Sequence, residues 1–436
     1  MDALLATVII ALGLGFYGYF FRRTDDALHP LGIFTLFWLV VFGFAHFNVP
    51  RTFDEPYYAE PFGWVTYLVV FGGLISFATG FWLVDPGAER LNRRGIAFRL
   101  REGISWPRLK WFTVGLFVAA TGMTVYFVYR AGAIPLFSPN IDELRLTFKL
   151  PILGYVYDLH YVVALFGTMI IVHSERRAEK LSWMAMVGAS LFMLMFSAVR
   201  VSPMTALAWM FIFLFYRDRR VRFRHMLVAA VVTATVFGVI ESYRRTMYTV
   251  NPNLVNPRLD LSPAATVWAH TAASFKNLQY TLRHGVSPLN MGLNSYDLPK
   301  TLDPAARVVD DQLSYLYGTN NTPTFLSILY FDFGVGGLLV MPLVYGAMTA
   351  YVYRRFRSRA NIFWLMVYID FLLATILAFR TSRFLGNALI WFGGVGVVAQ
   401  IFAGKDLEGV EIPGPEDDEE HEGEEAEATL LQVADT

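Results

Sequence analysis

Several apolar stretches of this chain run for 18 residues or more, long enough to cross a hydrocarbon core of about 30 Å, and no other feature constrains the fold so tightly. Spans are expected at residues 3–20, 31–48, 63–84, 111–129, 152–172, 182–198, 203–216, 226–241, 325–352, 362–379 and 387–403. The expectation is therefore an all-α, polytopic membrane protein with about eleven transmembrane helices. Composition points the same way, with 55% hydrophobic and 17% charged residues, against about 25% charged in a soluble domain. There is no cysteine, so disulfides, thiol nucleophiles and iron–sulfur ligation are excluded.

The basic residues orient the spans, because lysine and arginine in short loops stay on the cytoplasmic side. Placing loop 85–110 inside brings Arg90, Arg93, Arg94, Arg99, Arg101, Arg108 and Lys110 to that face, and the alternate loops agree: Arg22 and Arg23; Arg176, Arg177 and Lys180; Arg217 to Arg224; Arg354 to Arg359. The amino terminus then lies outside and the carboxyl terminus inside. Arg22 and Arg23 follow the first apolar run rather than precede it, the reverse of a secretory signal.

The net charge of zero hides a division. Residues 404–436 hold 13 of the 36 acidic groups and one of the 36 basic groups, leaving 35 basic against 23 acidic residues in 1–403. The run EDDEEHEGEEAEA is too polar to bury a core and reads as a disordered cytoplasmic tail beside the membrane domain 1–403.

Loop 85–110 has no GxxxxGK[ST] run and is far shorter than the ~100 residues of a nucleotide-binding domain, so ATP hydrolysis and cytosolic nucleotide-sugar chemistry are not expected. Substrate must arrive already activated in the membrane, or an ion gradient must drive the work. No nucleic-acid motif or metal-ligand spacing stands out, and no cofactor is implied. The outside carries the chemistry. Residues 242–323 form a large extracytoplasmic loop with two amphipathic helices expected, one from Ser262–Pro263 to Gly285 and one from Asp303–Pro304 to Gly318. These serve as a structural cap or as a lid over the bundle.

That face is cationic where such residues are usually sparse. Arg283 in the long loop, with Arg145, Arg200, Arg380 and Arg383 in other outer loops, offers planar donor forks suited to a diphosphate. Candidates for a base are His284, Asp297 and Asp332, in no fixed order. Asp370 lies about ten residues below Arg380, roughly 15 Å of helix, and reads as structural. His160 reads as a satisfied bundle histidine.

Three stretches carry a family likeness: RAGAIPLFSPNIDELR at 130–145, FSAVRVSPMTALAWMFIFLFY at 196–216 and TPTFLSILYFDFGVGGLL at 322–339. They resemble the oligosaccharide repeat unit polymerases of the O-antigen polymerase type, although Val201 follows Arg200 where that family's turn has glycine. The resemblance implies a GT-C-like bundle in the cell membrane. It would act on a polyprenyl-diphosphate-linked oligosaccharide among membrane lipids, alongside a flippase and a chain-length regulator. It further implies that Arg145 and Arg200 bind the diphosphate. An O-antigen ligase-type transferase and a secondary transporter are the alternatives, the latter resting on GVGG at 334–337 as a break in its span.

Overall fold

The computed structural model describes residues 2–47, 60–87, 90–138, 152–199, 201–217, 273–285, 323–380 and 386–407, with Leu144, Phe148, Leu150 and Phe384. Among the described residues the secondary structure is helical, apart from one isolated bridge between Ile104 and Gly404. The helices are α1 (Asp2–Thr24), α2 (Pro30–Phe44), α3 (Trp64–Val84), α4 (Arg93–Glu102), α5 (Trp106–Ala131), α6 (Gly154–Tyr157) and α7 (Leu159–His173). There follow α8 (Arg177–Met195), α9 (Val201–Arg217), α10 (Ala273–His284), α11 (Phe325–Ser358), α12 (Ile362–Leu377) and α13 (Asn387–Ala403).

Ten of the eleven expected spans fall on helices, and the remaining one, 226–241, lies outside the described residues. Among the described residues five helical stretches are long and apolar enough to cross a membrane: Ala3–Thr24, Trp64–Val84, Trp106–Ala131, Gly154–His173 and Phe325–Ser358. The apolar helices α2, α12 and α13 are shorter. The chain is a multi-pass membrane protein. Leu68, Ile75, Trp111, Val118 and Val125 leave apolar side chains exposed along α3 and α5, the pattern of a surface solvated by lipid rather than water.

Antiparallel hairpins make up much of the bundle. In α1–α2, Gly13 faces Leu39 and Gly43 faces Ile10; in α12–α13, Gly396 faces Met366. The closest pair is α3 with α11, which run parallel, Gly73 meeting Leu326 and Gly80 meeting Leu343. Glycine at these positions is a steric requirement. A Cβ at Gly80 would stand 1.9 Å from the Leu343 carbonyl oxygen, and one at Gly346 2.0 Å from that of Phe77. In lipid, where tails are as apolar as leucine, such close backbone approach replaces hydrophobic exclusion as the source of helix association. Phe34 of α2 stacks on Phe77 of α3 at 4.0 Å, and Trp38 Nε1 donates to the Val70 carbonyl at 3.1 Å, locking α2 against the same pair.

Two helical stretches were not expected. The basic stretch 93–102 forms a helix rather than a plain loop, capped by Asn92, whose Oδ1 accepts the Gly95 amide at 2.7 Å. The basic residues Arg354 to Arg357 belong to the last turns of α11, because nothing in the sequence stops that helix before Ser358. Within α11, Gly334 has φ 63° and ψ −149°, outside helical geometry and in a region open mainly to glycine, so α11 is two helical segments joined at GVGG.

The basic end of the bundle is stapled by short links. Leu91 N–H donates to Thr24 O at 2.8 Å, Ser105 N–H to Ala403 O at 2.7 Å, and Arg99 Nη1 to Arg357 O at 2.8 Å. Beneath these lies Asp26, with 0% of its surface exposed. The opposite end holds Arg283, His284 and Arg380.

Candidate functional site

Two of the three motif stretches touch each other. After α5, the left-handed Gly132 (φ 70°) turns the chain into a single 3-10 turn at Pro135–Phe137. That turn sits on the connection between α8 and α9: Leu136 and Ala198 form one buried cluster with Ile134 and Met195 beside them, and Leu136 N–H reaches Phe196 O at 3.4 Å. Ala198 is buried with φ 53°, a left-handed conformation that costs a residue with a Cβ about 1 kcal/mol or more. The strain falls two residues before Arg200, at the small residue of the FSAVR turn. Replacing Ala198 by glycine should relieve it: thermal unfolding of Ala198→Gly is expected to be unchanged or raised, by up to ~1 kcal/mol, where Ala→Gly elsewhere in the bundle lowers stability. A fall of the size seen at helical alanines would show that the turn is unstrained.

From this pair the contacts continue around the same end. Tyr157 of α6 donates its hydroxyl to Met193 O at 2.5 Å, next to the α8–α9 turn. Phe148, three residues after Arg145, is buried between Phe127 at 5.6 Å and Tyr157 at 6.0 Å. Tyr155 lies 6.0 Å from Trp391 of α13. Phe384, just ahead of α13, packs on Tyr345 at 4.7 Å and on Phe325 at 6.0 Å. Phe325 opens α11 and the third motif, and its amide donates to Ala378 O at 2.9 Å, two residues from Arg380.

Beside this ring, α5, α6, α7 and α13 enclose a groove of about 580 Å³ whose walls include Phe112, Leu116, Tyr155, Leu159, Trp391 and Val398. Its surface is almost wholly apolar, with Asn387 at one end and Trp391 one turn along. The Trp391 Nε1–H is buried and has no hydrogen-bond acceptor among the described residues. A second apolar groove of about 600 Å³ lies on the other side of α13, sharing Ile390 and Gly394. Grooves of this size and lining accept alkyl or isoprenoid chains and have no means of holding a charged group.

The individual site candidates separate in the structure. Asp332 is fully buried in α11, two residues before the break at Gly334. His284 ends α10 exposed, its Nδ1 within 2.9 Å of Tyr280 O and its ring stacked on Tyr280 at 3.9 Å. Arg283 is exposed and paired with Glu60. Arg380 is half-buried in the turn after α12, where its amide donates to Leu377 O at 2.8 Å. Arg145, Arg200, Arg383 and Asp297 lie outside the described residues, as do the start of the first expected amphipathic helix and all of the second.

The described part of that first helix, α10, ends at Gly285 with φ 69°, where the sequence marked its stop. Its first turns pack inward. Residues 273–279 are buried, with Lys276 over the Phe62 ring at 4.0 Å and the Gln279 side chain accepting the Gly63 amide at 2.8 Å. His160 is buried in α7 with Nε2 3.0 Å from Thr124 Oγ1, a structural placement. Among the described residues no three His, Asp or Glu side chains gather as metal ligands.

Sequence reasoning passed over one buried cluster, at the basic end. Asp26 Oδ2 accepts the Tyr353 hydroxyl at 2.6 Å and the Tyr216 hydroxyl at 3.0 Å, and Oδ1 accepts the Leu28 amide at 2.8 Å. Tyr216 and Tyr368 hydroxyls are 2.7 Å apart, and Tyr368 donates to Leu28 O at 3.0 Å. Burial pushes the Asp26 carboxyl above its ordinary range, against the lowering pull of these hydrogen bonds and of Arg93. The signal was present as an Asp–Asp pair ending an apolar run, but its tyrosine partners lie 190 and 327 residues away.

A comparison with protein families finds that the model described as "Putative O-antigen polymerase" matches residues 29–379. No curated protein and no solved structure matches the chain.

Proposed function

The chain belongs to the putative O-antigen polymerase family, and from that premise we propose that it polymerises lipid-diphosphate-linked oligosaccharide repeat units into a surface polysaccharide. In this reading the reaction takes place on the outer face of the cytoplasmic membrane, with the amino terminus outside and the acidic tail 404–436 in the cytoplasm. A flippase supplies the substrate and a chain-length regulator acts on the product.

One observation carries the reading: two motif stretches meet through Leu136 and Ala198 at the end of the bundle where Tyr157 meets Met193 and Phe384 meets Phe325 of the third, beside an apolar groove. A lipid tail in the groove would bring its diphosphate toward Asn387 and the loops of Arg145, Arg200, Arg380 and Arg383. The acceptor hydroxyl oxygen bonds to the anomeric carbon of the growing glycan as the bond from that carbon to the diphosphate oxygen breaks. The bonding pair leaves with the diphosphate, and the guanidinium groups stabilise the charge that develops there.

The acceptor proton needs a base. Asp332 is placed first, because it lies in the third motif, buried beside the helix break. His284 and Arg283 are exposed at the end of α10, Arg283 paired with Glu60, and Asp297 stays a candidate by sequence alone.

Purified protein supplied with lipid-diphosphate oligosaccharide tests this directly. A ladder of lengths is expected; a single transferred unit means a ligase. Absence of transfer gives the broken helix at Gly334 to transport instead. Arg145→Lys or Arg200→Lys should cut turnover by about 10-fold or more, since an ammonium keeps the charge but loses the paired donors, and about 1.4 kcal/mol is tenfold. Unchanged turnover in both removes these arginines from the site.

A further inference from the structure

The basic end contains a small cavity that the polymerase reading does not use. Its volume is about 190 Å³, and it is walled by Tyr19, Phe20 and Arg23 of α1, His29, Phe81 and Trp82 of α3, and Asp85 and Pro86. We propose that this cavity is a binding site for the phosphate group of an anionic ligand, with Arg23 and the His29 ring as its donors.

His29 is the N-cap of α2, and its Nδ1 accepts the Gly32 amide at 3.4 Å. A nitrogen that accepts carries no proton, so the ring's hydrogen sits on Nε2. The ring is held between Phe20, stacked at 5.1 Å and 6°, and Phe81 and Tyr353, both at 5.3 Å, so it cannot turn to seek another partner. His29 is 3% exposed, and the ring makes no second hydrogen bond among the described residues. Burial and the nearby Arg357 hold it neutral, with a pKa lowered to about 3. A fixed, neutral N–H donor therefore lines the cavity at any physiological pH.

Arg23 supplies the charge. Its Nη1 donates to the Tyr19 hydroxyl at 2.8 Å, which holds the guanidinium at the cavity mouth and leaves most of its five N–H groups without an acceptor among the described residues. Asp85 would oppose an anion, but its carboxylate accepts Arg357 Nη2 at 2.9 and 3.1 Å, and Arg354 reaches the Val84 carbonyl beside it. The Asp85 charge is thus offset by Arg357, while Arg23 keeps its own.

Size and surroundings narrow the ligand. The volume equals roughly six water volumes at ~30 Å³ each, room for a phosphate and little more, and below the ~300 Å³ at which pockets for larger ligands begin. Tyr19 and Trp82 are each 52% exposed on its rim, the amphipathic rings that gather at headgroup level. The phosphate comes either from a lipid of the adjoining leaflet or from free solution.

The test uses full-length protein in a phosphate-free sugar detergent. Binding of short-chain phosphatidylglycerol and of inorganic phosphate is measured separately, by native mass spectrometry and by thermal shift. Saturable binding of phosphatidylglycerol is expected, weakened about 10-fold or more by Arg23→Gln and unaffected by Arg22→Gln, since Arg22 does not line the cavity. Displacement of the lipid by millimolar phosphate assigns the site to a phosphate group presented by lipid, and equal binding of phosphate alone assigns it to the free ion. Equal loss in Arg22→Gln and Arg23→Gln, or no saturable binding of either probe, overturns the proposal. Each of these readouts is separate from glycan transfer.

Discussion

Asp26→Ala is expected to lower the stability of the protein by about 3 kcal/mol or more, while Asp26→Asn stays within about 1 kcal/mol of the parent. Alanine leaves the Tyr353 and Tyr216 hydroxyls and the Leu28 amide buried without an acceptor, at ~1–3 kcal/mol each. Asparagine keeps an acceptor oxygen and the side-chain volume. Burial is the leading cause that raises the pKa of the folded carboxyl.

The sign of the pH dependence follows. A carboxyl with its folded pKa above its unfolded one contributes stability that is fully present below the unfolded value and is lost as pH rises through the folded value. Thermal midpoints of the parent should therefore fall as pH climbs above the ordinary carboxyl range, and Asp26→Asn should flatten that part of the profile. Equal midpoints for the alanine and asparagine variants would show that the cluster does not hold the basic end together.

Asp26 also shows where sequence reading stops. Helix positions were legible because a span needs about 20 apolar residues in a row, a signal written locally in the chain. The stop of α10 at Gly285 was legible for the same reason, since a helix end with φ 69° calls for glycine on the spot. Asp26 joins α1, α9, α11 and α12 across most of the chain length, and no local pattern announces such a meeting.

The candidate site was legible in part. The likeness to the family came from short stretches, and the structure adds that two of them are in contact at Leu136 and Ala198. The long-loop residues divided once placed: Arg283 spends its charge on Glu60, and His284 rests on its own helix, which amphipathic spacing by itself does not reveal. Pairing between an outer-loop cation and Glu60 needs the fold, because the two lie 223 residues apart.

Gly80→Ala and Gly346→Ala should each destabilise the bundle by about 3 kcal/mol, the upper part of the range for overpacked sites. The added Cβ meets backbone oxygen in both cases, at 1.9 and 2.0 Å, and backbone cannot rotate away as a leucine tip can. α3 and α11 must move apart. Once they have, the second methyl enters space already opened, so the double variant should cost clearly less than the sum of the two. Gly72→Ala and Gly394→Ala, which meet nothing within 4 Å, serve as matched controls and should change the thermal midpoint little. A Gly80→Ala midpoint equal to that of Gly72→Ala would mean that α3 and α11 are farther apart than described. The consequence reaches the proposed site as well, because α11 begins at Phe325, in contact with Phe384 and hydrogen-bonded to Ala378. Widening the α3–α11 contact displaces the third motif relative to Arg380, so glycan transfer should fall in Gly80→Ala even at temperatures where the variant remains folded.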